Sequence, residues 1–391
     1  MVGDVTTICL FTAQYLPNFG GVERFNYELS KQIIRHGDRV IVVTSQLPRQ
    51  AAQEISPEGV EILRLPSAPL MGGRFPIIKP NKEFHRLTKW LWAQKIDACL
   101  INTRFYTLSL YAARAAKKHG VLSVVLEHGS AHLSPIGKLA TLAGHLYEHV
   151  AIHYVHLFCK DFYGVSEGSI KWLAHFHIQA KGVLHNAVNF DEIDRLLSAP
   201  NAVDWRSVFG LPDTSRIILF AARLVKEKGI LELLEAFRRL NRPDTHLLIA
   251  GDGPLLSVLS GQKGENIHFL GRLERKELMQ LYRQADVYCF PSYHEGFPTT
   301  LLEAGACGCA VITSSVAGVE ELLGEDQCGY ILPEIIPEAI QEALCMALDS
   351  ENWRKRVGAS LNARVRTHFG WKQTYAQLMN ALFKKDGQEG L

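Results

Sequence analysis

In the stretch HEGFPTTLLEAGACGCAVI, His294 to Ile312, two carboxylates flank a Gly-Phe-Pro turn and a pair of threonines. Glu295 and Glu303 could be an acid and base pair, but the residues between them argue for another chemistry. Pro298 suits the first position of a helix, where a missing N–H costs nothing. The amides of Thr299 and Thr300 would then leave the helix N-terminus as an anion site. Glu303 falls one turn further, on the same face as residue 299 or 300, and can reach past the anion to a vicinal diol. Glu295 lies before the helix, on the other side of the amides. Nucleoside, diphosphate and sugar fit that spacing in order, as in a sugar nucleotide.

Three further segments carry groups of the same kind. Residues 223–229, RLVKEKG, offer Arg223 as a planar fork for phosphate oxygens and Lys228 as a point charge. Together they suit a diphosphate and the negative charge that grows on it as it leaves. Lys226 is expected to face solvent. Residues 251–254 are Gly-Asp-Gly-Pro, where Asp252 reads as a cap on the next helix. In residues 17–23, PNFGGVE, Gly20 and Gly21 would let the backbone approach an anion at a helix start. That segment is not GxGxxG, so the dinucleotide fingerprint is absent. Taken singly, each has an ordinary reading as a turn, a solvated charge or a cap.

These segments fall where strands end. In the first part, TTICLFTA reads as a buried strand and VERFNYELSKQIIRHG as a helix ended by Gly37. DRVIVVTS, IDACLIN and VLSVVLEHG continue as strands, with a helix around Leu108–His119. The second part restarts the alternation: RIILFAAR, THLLIAGDGP, NIHFLGRL, DVYCFPS and CAVITSS as strands, and GILELLEAFRRL, KELMQLYRQA and PTTLLEAGACG as helices. Continuous apolar strands alternating with helices imply parallel, doubly wound sheets. The expectation is an α/β protein of two Rossmann-like domains facing across a cleft, since ligands bind beyond the carboxyl ends of such strands. The domains are placed at residues 1–187 and 188–370, with residues 371–391 packing back on the first.

The paired motifs R-x-x-x-x-K-G and E-G-F-P-x-x-x-x-E, with GDGP, GGVE and the linker HNAVN, resemble glycosyltransferase family 4, retaining enzymes of the GT-B fold. The resemblance runs in order along nearly the whole chain. It departs from the family pattern at Ala221-Ala222 and at His185 and Ala187 of the linker. It implies that Glu303 binds the ribose and Glu295 the donor sugar, helped by the backbone of Gly296, Phe297 and Pro298. Arg223 and Lys228 would hold the diphosphate, with Gly20, Gly21 and Gly253 lining the donor. Glu127-His128-Gly129 looks like the acceptor-side histidine segment, placing His128 at the reacting sugar. Front-face displacement is implied, in which the departing phosphate helps deprotonate the acceptor. The nucleotide sugar, UDP-linked on family frequency, is a co-substrate. Asp-x-Asp is absent, so no cofactor and no metal are expected. The alternatives are a GT-B sugar-nucleotide epimerase and a non-catalytic sugar-nucleotide-binding protein.

Bulk composition agrees with a globular chain: 391 residues, 47% hydrophobic and 21% charged. The eight cysteines show no metal-ligand spacing and read as reduced core residues of a cytoplasmic protein. No signal peptide or membrane span is evident, and nothing points to nucleic acid. The tail KKDGQEGL looks frayed. Residues 1–187 hold 20 Lys and Arg against 13 Asp and Glu, whereas the remainder holds 22 against 27. His145, His149, His153 and His156 recur at helical spacing. Without an acidic partner on the same face, they read as a packed or interfacial helix rather than a metal site. With Leu133–Leu142 and the basic first half, this segment is expected to rest on an anionic membrane, at its inner face, near a glycan or lipid-linked acceptor.

Overall fold

Strands covered on both faces can be apolar at every position, and both sheets here are built that way. A computed structural model describes residues 5–17, 20–132, 138–261, 264–324 and 328–383. The tail KKDGQEGL, Asn18 and Phe19 of the first glycine segment, and the start of Leu133–Leu142 lie outside the described residues. The chain separates into two units, Met1–Asn186 with Trp371–Leu391, and Ala187–Gly370.

In the first unit the strands are β1 (Thr7–Phe11), β2 (Arg39–Ser45), β3 (Gln53–Ile55), β4 (Glu61–Leu65), β5 (Ser67–Leu70) and β6 (Phe75–Ile78). They continue as β7 (Ala98–Asn102), β8 (Leu122–Glu127), β9 (Phe162–Gly164) and β10 (Gly182–Val183). Eight of them form one sheet in the order β10-β9-β8-β7-β1-β2-β4-β3, and β5 and β6 pair as a separate hairpin. All neighbours in the large sheet are parallel except the edge pair β3 and β4. Strand order reverses between β1 and β7, so the loops after these strands splay apart there. Cys9, Phe11, Ile41, Val43, Ile101 and Val125 form the centre of the core.

The second unit contains β11 (Arg216–Ala221), β12 (Thr245–Ala250), β13 (Ile267–Gly271), β14 (Val287–Phe290), β15 (Ala310–Ser314) and β16 (Tyr330–Leu332). They form one parallel sheet in the order β13-β12-β11-β14-β15-β16. This is the 3-2-1-4-5-6 order of a dinucleotide-type fold, with its switch point between β11 and β14. Val188 pairs with Gly370 in an isolated bridge, so the two ends of this unit lie side by side. Asn189 of the HNAVN linker caps the helix Phe190–Leu197 by accepting the Glu192 amide at 3.1 Å.

Candidate active site

The loops that follow β11 and β14 carry the cationic segment and the first glutamate. After β11 the chain makes a single 3-10 turn, Lys226–Lys228, closed by Gly229 at φ 68°. A Cβ on Gly229 would lie 2.0 Å from the Pro291 carbonyl oxygen, so only glycine lets this loop press against the one after β14. Gly251 and Gly253 act similarly from the β12 loop. Their φ angles are 141° and 158°, and a Cβ would meet the carbonyls of Ala222 and Leu224 at 1.9 and 2.5 Å. Leu224 N–H donates to Asp252 O at 2.9 Å, which fixes the backbone beside Arg223. The Asp252 carboxylate accepts the Gly253 amide at 2.7 Å instead of capping the helix Leu256–Ser260, which has no side-chain cap.

Arg223 is exposed, and among the described residues it pairs with no carboxylate. Lys226 is exposed, as expected. Lys228 is half-buried, lies 5.7 Å from the Phe290 ring centroid and forms an ion pair with Glu295. Ser292 Oγ donates to the same Glu295 oxygen at 3.1 Å. The two side chains assigned to phosphate and to sugar therefore hold each other. An ammonium has three protons, so Lys228 can keep Glu295 in place while donating to a phosphate oxygen.

The helix Thr299–Ala306 begins one residue later than expected: Pro298 is its N-cap, with extended φ and ψ of −78° and 93°, and Thr299 takes the first position. Proline carries no N–H at either position, so the Thr299 and Thr300 amides still head the helix. Phe297 and Pro298 are buried, with the Phe297 ring 5.5 Å from that of Phe369. Gly296 is half-buried beside them. Glu303 is 6% exposed and accepts Arg275 Nη1 at 2.7 Å. Arg275 also reaches Glu192 at 3.0 Å, so one guanidinium bridges two carboxylates. Sequence reasoning missed Arg275, which is the first residue of the helix Arg275–Gln284, one position before the stretch KELMQLYRQA read as helical.

In the first unit Gly20 is the N-cap of the helix Gly21–Arg35. The expected anion site at this helix start is occupied by the protein's own carboxylate. A Cβ on Gly20 would meet Glu23 Oε2 at 2.4 Å, and the Gly20 and Glu23 amides both donate to that carboxylate. Burial nevertheless raises the Glu23 carboxyl above its ordinary range. Nothing lies within 4 Å of the Cβ position of Gly21.

His128 follows β8 and ends a chain of buried amides. Asn26 Nδ2 donates to Val22 O, Asn102 Nδ2 donates to Asn26 Oδ1 at 2.8 Å, and Asn102 Oδ1 faces His128 Nε2 at 2.8 Å. Asn102 Oδ1 can only accept, so His128 carries its proton on Nε2 and presents Nδ1 as an acceptor. The ring keeps an exposed edge yet sits deep, and burial lowers its pKa to about 3. Neither asparagine stood out in the sequence, although Asn102 is the polar end of an otherwise apolar strand.

The histidine stripe is not an outward-facing surface. His145 stacks on His132 at 4.0 Å, His149 lies 4.7 Å from Phe176, and His156 lies 5.7 Å from Phe162. Only His153 is exposed; the outer face of the helix Lys138–Phe158 shows Leu142, Leu146, Val150 and Leu157 instead. All eight cysteines are free, and seven are buried. Among the described residues no helix is long and apolar enough to cross a membrane.

A family model described as Glycosyltransferase Family 4 matches residues 19–192, and one described as Glycosyl transferases group 1 matches residues 202–364. An uncharacterized glycosyltransferase of Methanocaldococcus jannaschii is 23% identical over 94% of this chain and 95% of its own. The phosphatidyl-myo-inositol mannosyltransferase of Mycobacterium tuberculosis is 32% identical over 46% of this chain and 52% of its own. The solved structure of Anabaena HepE in complex with UDP-glucose superposes with a TM-score of 0.73 at 18% identity, covering 96% of this chain and 99% of HepE. Two Rossmann-like units with these likenesses define a glycosyltransferase of the GT-B fold. With one family model over its first part and the other over its second, the chain is a glycosyltransferase of the family 4 type.

Proposed function

We propose that this glycosyltransferase moves a hexose or N-acetylhexosamine from a UDP-linked donor to a glycan or lipid-linked acceptor, with retention at the anomeric carbon. The observation that carries this reading is the group at the β11/β14 switch point. Arg223, exposed and paired with no carboxylate among the described residues, stands with a Lys228–Glu295 ion pair and an arginine-held, buried Glu303. Arg223 and Lys228 bind the diphosphate, the amides of Thr299 and Thr300 add donors, Glu303 takes the ribose hydroxyls and Glu295 those of the sugar. Gly253 and the Gly296–Pro298 backbone shape the donor's surroundings. Family resemblance assigns Gly20, Gly21 and His128 of the first unit to the same reaction. UDP is supported by the UDP-glucose bound to HepE.

In the transfer step the C1–O bond to phosphate breaks, and its electron pair leaves with the diphosphate. The acceptor oxygen attacks C1 from the same face, and its proton passes to the departing phosphate oxygen. Arg223 and Lys228 offset the negative charge that develops there, which lowers the barrier because it is greatest in the transition state. Neutral His128, through Nδ1, accepts a hydrogen bond from a hydroxyl of the sugar and does not act as an acid. No divalent cation is needed at the diphosphate.

A cavity of about 430 Å³ in the first unit, with Arg49, Lys79 and Asn81 in its lining, suits an anionic portion of the acceptor. The exposed apolar face of the helix Lys138–Phe158 rests on an anionic membrane, on its cytoplasmic side, where a lipid-linked acceptor would be found. The mycobacterial relative, named for transfer to a phosphatidylinositol, supports that choice.

A panel of UDP-, GDP- and ADP-sugars tests the donor reading. UDP-sugars should raise the melting temperature by mass action and release UDP at the same rate in EDTA as in Mg²⁺. Arg223→Ala and Lys228→Ala should chiefly cut turnover. Stabilisation without release of nucleoside diphosphate would favour the non-catalytic binding protein. Turnover near wild type in both variants would overturn the site.

A further inference from the structure

Outside the residues assigned to transfer, three imidazoles from three separate segments converge. His132 follows β8, His149 lies in the helix Lys138–Phe158, and His175 ends the helix Glu167–His175. One ring nitrogen from each lies within 4.8 Å of the others. Their ring centroids are 5.9, 5.3 and 5.3 Å apart, and Trp172 and Phe176 pack edge-on against His132. We propose that His132, His149 and His175 form a binding site for a divalent cation of the zinc type.

A second observation points to a cation independently of the rings. Arg104 is fully buried and pairs with two buried carboxylates, Glu127 at 2.8 Å and Glu148. Glu148 Oε2 also stands 3.4 Å from His132 Nδ1. A carboxylate behind Nδ1 turns Nε2 toward a metal and makes it a better donor, the usual outer shell of a metal-bound histidine.

Three imidazoles select zinc-type ions over magnesium or calcium, which take oxygen ligands. Tetrahedral zinc holds nitrogens at about 2.0–2.1 Å, hence roughly 3.4 Å from each other. Closing from the present spread asks for small side-chain rotations, and His175, exposed at a helix end, has room to make them. Water or His145 would complete the shell. The bound ion would tie the loop after β8 to two helices. Glu127, which shares Arg104, also accepts the Gly129 amide at 2.8 Å, so the same network reaches the segment that carries His128. The ion is structural: none of its ligands is among the residues assigned to the diphosphate, and metal-free transfer stands or falls separately.

The test uses the full chain, stripped with a chelator and titrated with ZnCl₂ alone. Binding is followed by calorimetry, metal content and melting temperature, with Co²⁺ absorption reporting the geometry. The expected result is one saturable Zn²⁺ per chain, a higher melting temperature and a tetrahedral Co²⁺ spectrum. Partners merely behind a ligand are worth about 10–100-fold in affinity, so His175→Ala should weaken binding at least about tenfold. His153→Ala, exposed on the same helix as His149, should leave it unchanged. His175 is itself exposed, so its variant folds even where His149→Ala does not. Absence of saturable binding, or equal affinity in wild type and His175→Ala, overturns the site.

Discussion

At the residue scale, the ribose-binding role given to Glu303 depends on a partner that the sequence did not reveal. The Glu303 carboxylate is buried and held by Arg275, and removing one member of such a pair leaves the other uncompensated. Arg275→Ala should therefore weaken UDP binding by about tenfold, roughly 1.4 kcal/mol, with a smaller effect on turnover of saturated enzyme. Arg275→Lys keeps the charge and should recover part of it; equal KM values in wild type and both variants would refute the positioning role. A second expectation concerns His128, whose pKa burial lowers to about 3 from an unfolded value of about 6.5. Between those pH values the unfolded chain binds a proton that the folded chain refuses, so stability falls as pH drops from about 6.5 toward 3, by up to about 1.4 kcal/mol per pH unit. Above that window the histidine contributes no slope. Denaturation midpoints across it should decline less steeply for His128→Gln, whose amide can still donate to Asn102. The chemical identity of Arg223, Lys228, Glu295 and Glu303 was legible, because charge in a turn is visible in the sequence. The partnerships were not: Arg275 reaches Glu303, and Asn102 reaches His128, only through tertiary packing.

At the element scale, the strands and helices that were read lie close to their observed limits, but β3, β4 and the helices Lys82–Trp92, Glu167–His175, Pro337–Asp349 and Glu351–His368 went unread. The hairpin β5–β6 went unread because Pro69 and Pro76 break the strand pattern in both arms. The strands β9, β10 and β16, two or three residues each, are too short to show any periodicity. The glycines were visible, but their reasons lay in contacts between loops. Gly229 shows this best, since its left-handed backbone and the nearby Pro291 carbonyl each exclude a side chain. Gly229→Ala should lose about 1–3 kcal/mol from backbone strain alone, and it should displace Lys228 from Glu295, lowering kcat as well as the melting temperature. Gly21→Ala, at a helix start with open space around it, should leave stability almost unchanged. Similar unfolding curves for the two variants would show that the close approach of the β11 and β14 loops is dispensable.

For the whole molecule, the uneven charge of the sequence acquires a location through the helix Lys138–Phe158. Leu142, Leu146, Val150 and Leu157 are 61–68% exposed, and their spacing keeps them on one side of the helix. Such a face gains free energy by lying at a lipid boundary, and a basic domain adds attraction to anionic headgroups. The sequence showed the length and apolar content of this segment and left its histidines as a packed or interfacial stripe. Only packing against His132, Trp172 and Phe176 reveals that several of those histidines turn inward and the leucines outward. The protein should therefore float with anionic liposomes at low ionic strength and more weakly with neutral ones. Because headgroup attraction is screened over about 10 Å at 0.1 M salt, added salt should weaken flotation without abolishing the apolar part. Leu146→Glu with Val150→Glu should abolish it at every salt concentration, while UDP release with a soluble acceptor continues at the wild-type rate. Equal flotation of wild type and the double variant would remove this face from membrane contact and leave the basic charge as the sole attraction.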